Sequence, residues 1–104
     1  MKKPSDCHTM QELRVEIDAL DASLVQGFAQ RSRYIDRAIA LKIAEDLPAR
    51  IEDRVEDVVA KVRATAGAEG LDPNLIDALW RRLIEWSIQR EEVVLGPTRP
   101  EERK

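Results

Sequence analysis

An apolar register running unbroken from Leu13 to Ile39 constrains this chain more than any other feature. Leu13, Ile17, Leu20, Leu24, Phe28, Ile35 and Ile39 recur at the three-, four- and seven-residue steps of one helix face. No proline interrupts before Pro48, and Thr9 followed by Glu12 forms a capping box at the front. Gly27 costs about 1 kcal/mol in mid-helix and does not end it. The pattern predicts a helix from about Met10 to about Ala44. Around 35 residues rising 1.5 Å each span roughly 50 Å. A compact globule of 104 residues is only about 33 Å across. One chain cannot cover such a helix, and the simplest cover is the long helix of a second copy.

After a short connection, Glu45-Asp46-Leu47-Pro48, a second helix is expected from Ile51, Val55, Val58, Val59 and Val62. Gly67 and Gly70 stop it. Asp72-Pro73 then supplies an N-cap and a first-turn proline for a third helix, with Ile76, Leu79, Leu83, Trp86 or Ser87, and Val94 marking its inner side. Gly96-Pro97 ends it. The fold class is all-α: three helices with one very long N-terminal helix, intertwined as a homodimer. A single helical domain is expected over residues 1–104, with its core at about 10–95 and a loose polar tail over 97–104.

Bulk properties narrow the function. The residues are 36 % charged and 4 % aromatic, which suits a helical bundle better than a sheet. A net charge of −3 argues against a general nucleic-acid binder. No apolar run approaches the ~18 residues of a membrane span, and the lysines at the N-terminus are not followed by the apolar stretch of a signal peptide. The lone Cys7 permits no internal disulfide and fits a cytoplasmic protein. It has no partner that would make it a nucleophile, and His8 stands alone before the cap.

The apolar face of the first helix carries an anomaly. Arg31 and Lys42 are eleven residues apart, three turns plus about 20°, so they share that face. Arg54 lies between Ile51 and Val55 in the next stripe, and Ser87 and Glu91, one turn apart, fall on or beside the stripe of the third helix. Taken singly, each has an ordinary explanation. Arg31 could snorkel, Lys42 could complement a helix C-terminus, Arg54 could pair with Glu52, Asp53 or Asp57, Ser87 could fill space and Glu91 could be solvated. Taken together they form a cationic set with one hydroxyl and one carboxyl. Permanent cations in low dielectric need anions, supplied either by internal carboxylates or by an anionic ligand. Arg14 lies about 100° round the helix from Arg31 and could join the set only from a second chain. Such a set lacks an obvious nucleophile, metal cluster or cofactor loop. It can hold a multiply charged anion in one conformation and stabilise developing negative charge, which suits a unimolecular rearrangement or elimination.

These residues resemble the all-helical chorismate mutase family. Its pattern is an arginine early in the long helix, a second seventeen positions on and a lysine eleven further, here Arg14, Arg31 and Lys42. An arginine twelve positions later lands on Arg54, and a serine followed four residues on by glutamine or glutamate lands on Ser87 and Glu91. The resemblance covers about residues 10–95 and includes the run Leu83-Ile84-Glu85-Trp86-Ser87. It implies a dimer of crossed long helices, with Arg31, Arg54 and Arg14 of the other chain on the two carboxylates of chorismate. It also implies Ser87 in substrate binding, and Lys42 and Glu91 at the ether oxygen as the catalytic pair. Prephenate, a precursor of aromatic amino acids, would be the product, and no cofactor is implied.

Two positions depart from the bacterial mutase pattern: Ile51 and Val55 stand where acidic residues are usual. Val55 and the opening Lys2-Lys3-Pro4-Ser5-Asp6-Cys7 look more like the isochorismate pyruvate lyase branch, which makes salicylate and pyruvate. That branch usually carries glutamine at the position of Glu91. Chorismate mutase is the first reading and the lyase the alternative; a non-enzymatic dimeric helical interaction module is a third.

Overall fold

The computed structural model describes residues 1–98. A 3-10 turn, Pro4–Asp6, precedes α1 (Met10–Glu45), α2 (Glu52–Ala68) and α3 (Pro73–Leu95). No strand occurs among the described residues. The all-α class and the long first helix are therefore as the sequence predicts. No helix among the described residues is long and apolar enough to cross a membrane. The chain forms two compact units, Met1–Tyr34 and the segment from Ile35 on, with the boundary inside α1.

In the first unit the expected cap is present with one difference. The Glu12 N–H donates to Thr9 Oγ1 at 3.1 Å, while the Glu12 carboxylate accepts from the His8 N–H rather than from that of Thr9, also at 3.1 Å. That backbone bond, followed by the charge of Lys2, holds the Glu12 carboxyl below its ordinary range. Beyond the cap, Ile17, Leu20, Leu24 and Phe28 are 42–58 % exposed. The predicted apolar stripe exists, and the single chain leaves it in water.

In the second unit α2 packs on α3. Val59 of α2, Ile84 and Ile88 of α3 and Ala49 of the connection form the core, flanked by Val55, Val58, Trp80 and Leu95. The buried side of α3 is the expected one at Ser87 and Glu91 and differs elsewhere. Leu79, Trp86 and Val94 point outward, and the inward residues are Ile84, Ser87, Ile88 and Glu91. The start of α3 is apolar on more than one side (Leu75, Ile76, Leu79, Trp80, Leu83, Ile84), so periodicity alone does not select the buried face.

The helix ends follow local chemistry. Asp46 closes α1 in the left-handed region at φ 56°, a conformation an aspartate tolerates. The Leu47 N–H then reaches back to the Lys42 carbonyl at 2.8 Å. Asp72 accepts from the Asn74 N–H at 2.9 Å and Pro73 opens α3. Gly96, at φ 82°, ends it. The tail is not loose where it begins: Thr98 is buried and hydrogen-bonded. The rest of the expected tail, 99–104, lies outside the described residues.

Candidate functional site

The last turn of α1 carries Lys42, and α3 runs alongside with Glu91 turned inward. Lys42 Nζ lies 2.6 Å from Glu91 Oε1 and donates a second hydrogen bond to the Ala49 carbonyl at 2.7 Å. The Lys42 side chain is 18 % exposed and that of Glu91 only 4 %. The sequence left open whether inward cations meet an internal carboxylate or an external anion. For Lys42 the structure supplies the carboxylate. An ammonium has three N–H donors, so after Glu91 and Ala49 one remains for a ligand oxygen. Ser87, one turn before Glu91 and equally buried, donates its hydroxyl to the Leu83 carbonyl at 3.0 Å.

The connection between α1 and α2 is pinned beside this pair. The Arg50 N–H donates to Thr98 Oγ1 at 3.0 Å, and Arg50 Nη2 meets Glu85 Oε1 at 2.6 Å. The Glu85 bond raises the Arg50 pKa. A cavity of about 340 Å³ opens here, lined by Lys42, Asp46, Ala49, Gly96 and Thr98 among others. A larger one of about 750 Å³, between Ile39, Ile43, Trp86 and Arg90, contains none of the six predicted site residues. At its rim Arg90 is held to Asp36 by two hydrogen bonds of 2.6 and 3.0 Å and sits 5.5 Å from the Trp86 ring centroid. The Arg90 bond keeps the Asp36 carboxyl below its ordinary range.

Of the six predicted residues, Lys42 and Glu91 are in direct contact and Ser87 is one helical turn away. Arg54 is elsewhere: its side chain is 62 % exposed and pairs with Asp57 at 2.6 Å. It does not lie in low dielectric as its place between Ile51 and Val55 suggested. The reason is that α2 begins at Glu52, with Ile51 as its cap, and buries Val55 and Val59 rather than the Arg54 side. Arg14 and Arg31 belong to the first unit, the former exposed and the latter half-buried. No group of three His, Cys, Asp or Glu side chains able to hold a metal occurs among the described residues.

Sequence reasoning missed Arg50, Glu85 and Thr98, which pin the connection after α1. Arg50 carried a usable signal, standing two residues after Pro48 and two before a helix start. A threonine after Gly-Pro carries none.

What the pair can do follows from its charges. An ammonium held at fixed position beside a carboxyl can meet an oxygen that gains negative charge during a reaction. The chain matches the family described as chorismate mutase type II over residues 13–92. It is 30 % identical over 92 residues to an isochorismate pyruvate lyase of Pseudomonas aeruginosa, spanning 88 % of this chain and 89 % of that protein. It is also 30 % identical over 82 residues to a T-protein of Haemophilus influenzae, spanning 79 % of this chain and 22 % of that protein.

Proposed function

From the premise that this chain belongs to the chorismate mutase type II family, we propose that it rearranges chorismate to prephenate without a cofactor. The contact that carries the reading is the 2.6 Å pairing of Lys42 with the buried Glu91. In the rearrangement the ether C–O bond breaks as a C–C bond forms, and the electrons move round one ring of atoms. Negative charge grows on the ether oxygen. Lys42 donates its remaining N–H to that oxygen, and Glu91, when protonated, donates a second hydrogen bond. Ser87 binds substrate from one turn away.

The two substrate carboxylates fall to Arg31, Arg54 and Arg14 of the partner subunit, an assignment that rests on sequence spacing. Arg54 must exchange Asp57 for substrate, which an exposed ion pair permits at little cost. The partner subunit is proposed because Ile17, Leu20, Leu24 and Phe28 leave an apolar stripe in water in one chain. An obligate dimer should persist in sedimentation at nanomolar concentration, and inactive Arg14→Ala and Arg31→Ala dimers should regain activity on mixing. Each hybrid would hold one intact site. A folded active monomer, or no complementation, would contradict the shared site.

A second reading is isochorismate pyruvate lyase. It is favoured by the near full-length match to the Pseudomonas aeruginosa protein of that name and by Val55 and the opening Lys2-Lys3-Pro4-Ser5-Asp6-Cys7. Glu91, rather than glutamine, keeps the mutase first.

A further inference from the structure

We propose that Thr98 is a positioning residue for the Lys42 ammonium, acting through the peptide that joins Ala49 to Arg50. The proposal rests on the reading of Lys42 as the group that meets the reacting oxygen. The Ala49 carbonyl and the Arg50 N–H are opposite ends of one planar unit. At one end the carbonyl accepts from Lys42 Nζ at 2.7 Å; at the other the N–H donates to Thr98 Oγ1 at 3.0 Å. Thr98 is only 6 % exposed, and its own N–H donates to Glu92 Oε2 at 3.2 Å. Glu92 follows Glu91 on α3. A continuous path therefore leaves α3 at Glu92, passes through Thr98 and the 49–50 peptide to Lys42, and returns to α3 at Glu91.

Each link has a directional consequence. Because the peptide is planar, fixing its N–H fixes where its carbonyl points. Without the threonine hydroxyl the unit can rotate, and Lys42 is then held by Glu91 alone. An acceptor on the N–H side of a peptide also polarises its carbonyl, strengthening the bond to the ammonium. The Arg50 side chain is anchored separately to Glu85, so the orientation of the peptide itself falls to Thr98. Gly96, at φ 82°, and Pro97 set the turn that brings Thr98 back.

Thr98→Val keeps the shape and removes the acceptor; Thr98→Ser keeps the acceptor. Two readouts apply: steady-state kinetics, and the nitrogen-15 resonance of the Lys42 ammonium, which needs no turnover. Thr98→Val is expected to lower kcat ~10-fold with KM within roughly two-fold, and to shift the Lys42 resonance. Thr98→Ser should restore both. In a Lys42→Met background Thr98→Val should change residual activity by less than roughly two-fold. A merely structural role would lower it in both backgrounds. Glu92→Ala, which removes the acceptor of the Thr98 N–H and so loosens the hydroxyl's hold on the Arg50 N–H, covers the case in which Thr98→Val does not fold. It should move the same resonance in the same direction.

If wild-type protein converts neither chorismate nor isochorismate, the proposed function fails and the resonance decides on Thr98 alone. An unmoved Lys42 resonance in Thr98→Val (or in Glu92→Ala, where Thr98→Val does not fold) would overturn the proposal. So would a full kcat loss that persists without Lys42.

Discussion

Lys42→Ala is expected to lower kcat by ~10²–10³, the scale for losing one fixed donor to a developing oxyanion. The ammonium is held from two sides, by Glu91 at 2.6 Å and the Ala49 carbonyl at 2.7 Å. Little reorganisation is therefore needed when charge appears on the ether oxygen, so the loss should fall on kcat more than on KM. The substitution also touches stability. The sequence alone leaves open whether this cation has an internal partner. The structure gives that cation a buried partner, so Lys42→Ala leaves the 3 % exposed Glu91 without its ammonium. That should cost about 1–3 kcal/mol, visible as a lower urea midpoint. Adding Glu91→Gln should return part of the stability and none of the kcat. A kcat within a few-fold of wild type would remove Lys42 from the chemistry.

Glu91→Ala is expected to abolish most activity at every pH, and Glu91→Gln to retain a substantial part of it. A carboxyl donates a hydrogen bond only when it carries a proton, whereas a glutamine amide donates at any pH. In the structure Glu91 Oε1 already accepts from Lys42, so the proton that reaches the ether oxygen would sit on the other carboxyl oxygen. The comparison is read from kcat for the three proteins at one pH. A Glu91→Gln variant as inactive as Glu91→Ala would mean that Glu91 donates nothing to substrate.

How much of this was legible in the residues depended on how redundant each signal was. Helix α1 was, because seven apolar positions, a capping box and the absence of proline all point one way. Its end at Glu45 lies one residue past the predicted one, because Asp46 adopts the left-handed cap and lets the last turn complete. The pairing of Lys42 with Glu91 was half legible: both were placed inward by spacing, but their contact crosses from α1 to α3 and periodicity carries no such information. The buried side of α3 was legible at Ser87 and Glu91 but not in its first turns, which are apolar on more than one side. Arg50 and Arg54 illustrate the same limit. Both stand near the start of α2, yet Arg50 precedes the helix and turns to Glu85, whereas Arg54 faces solvent and Asp57. Which cation is held inside depends on where the helix begins, a matter of one or two residues.

Supplying the purified protein separately with chorismate and isochorismate, and following prephenate, salicylate and pyruvate, tests the central claim most directly. Prephenate from chorismate, formed with a kcat/KM above that for isochorismate cleavage and lost in Lys42→Ala, is the expected result. Salicylate and pyruvate as the faster products would make the chain a lyase of the same family. Turnover of neither substrate, with no saturable binding of either dicarboxylate, would contradict the enzymatic account and leave the inner charges as structural ion pairs.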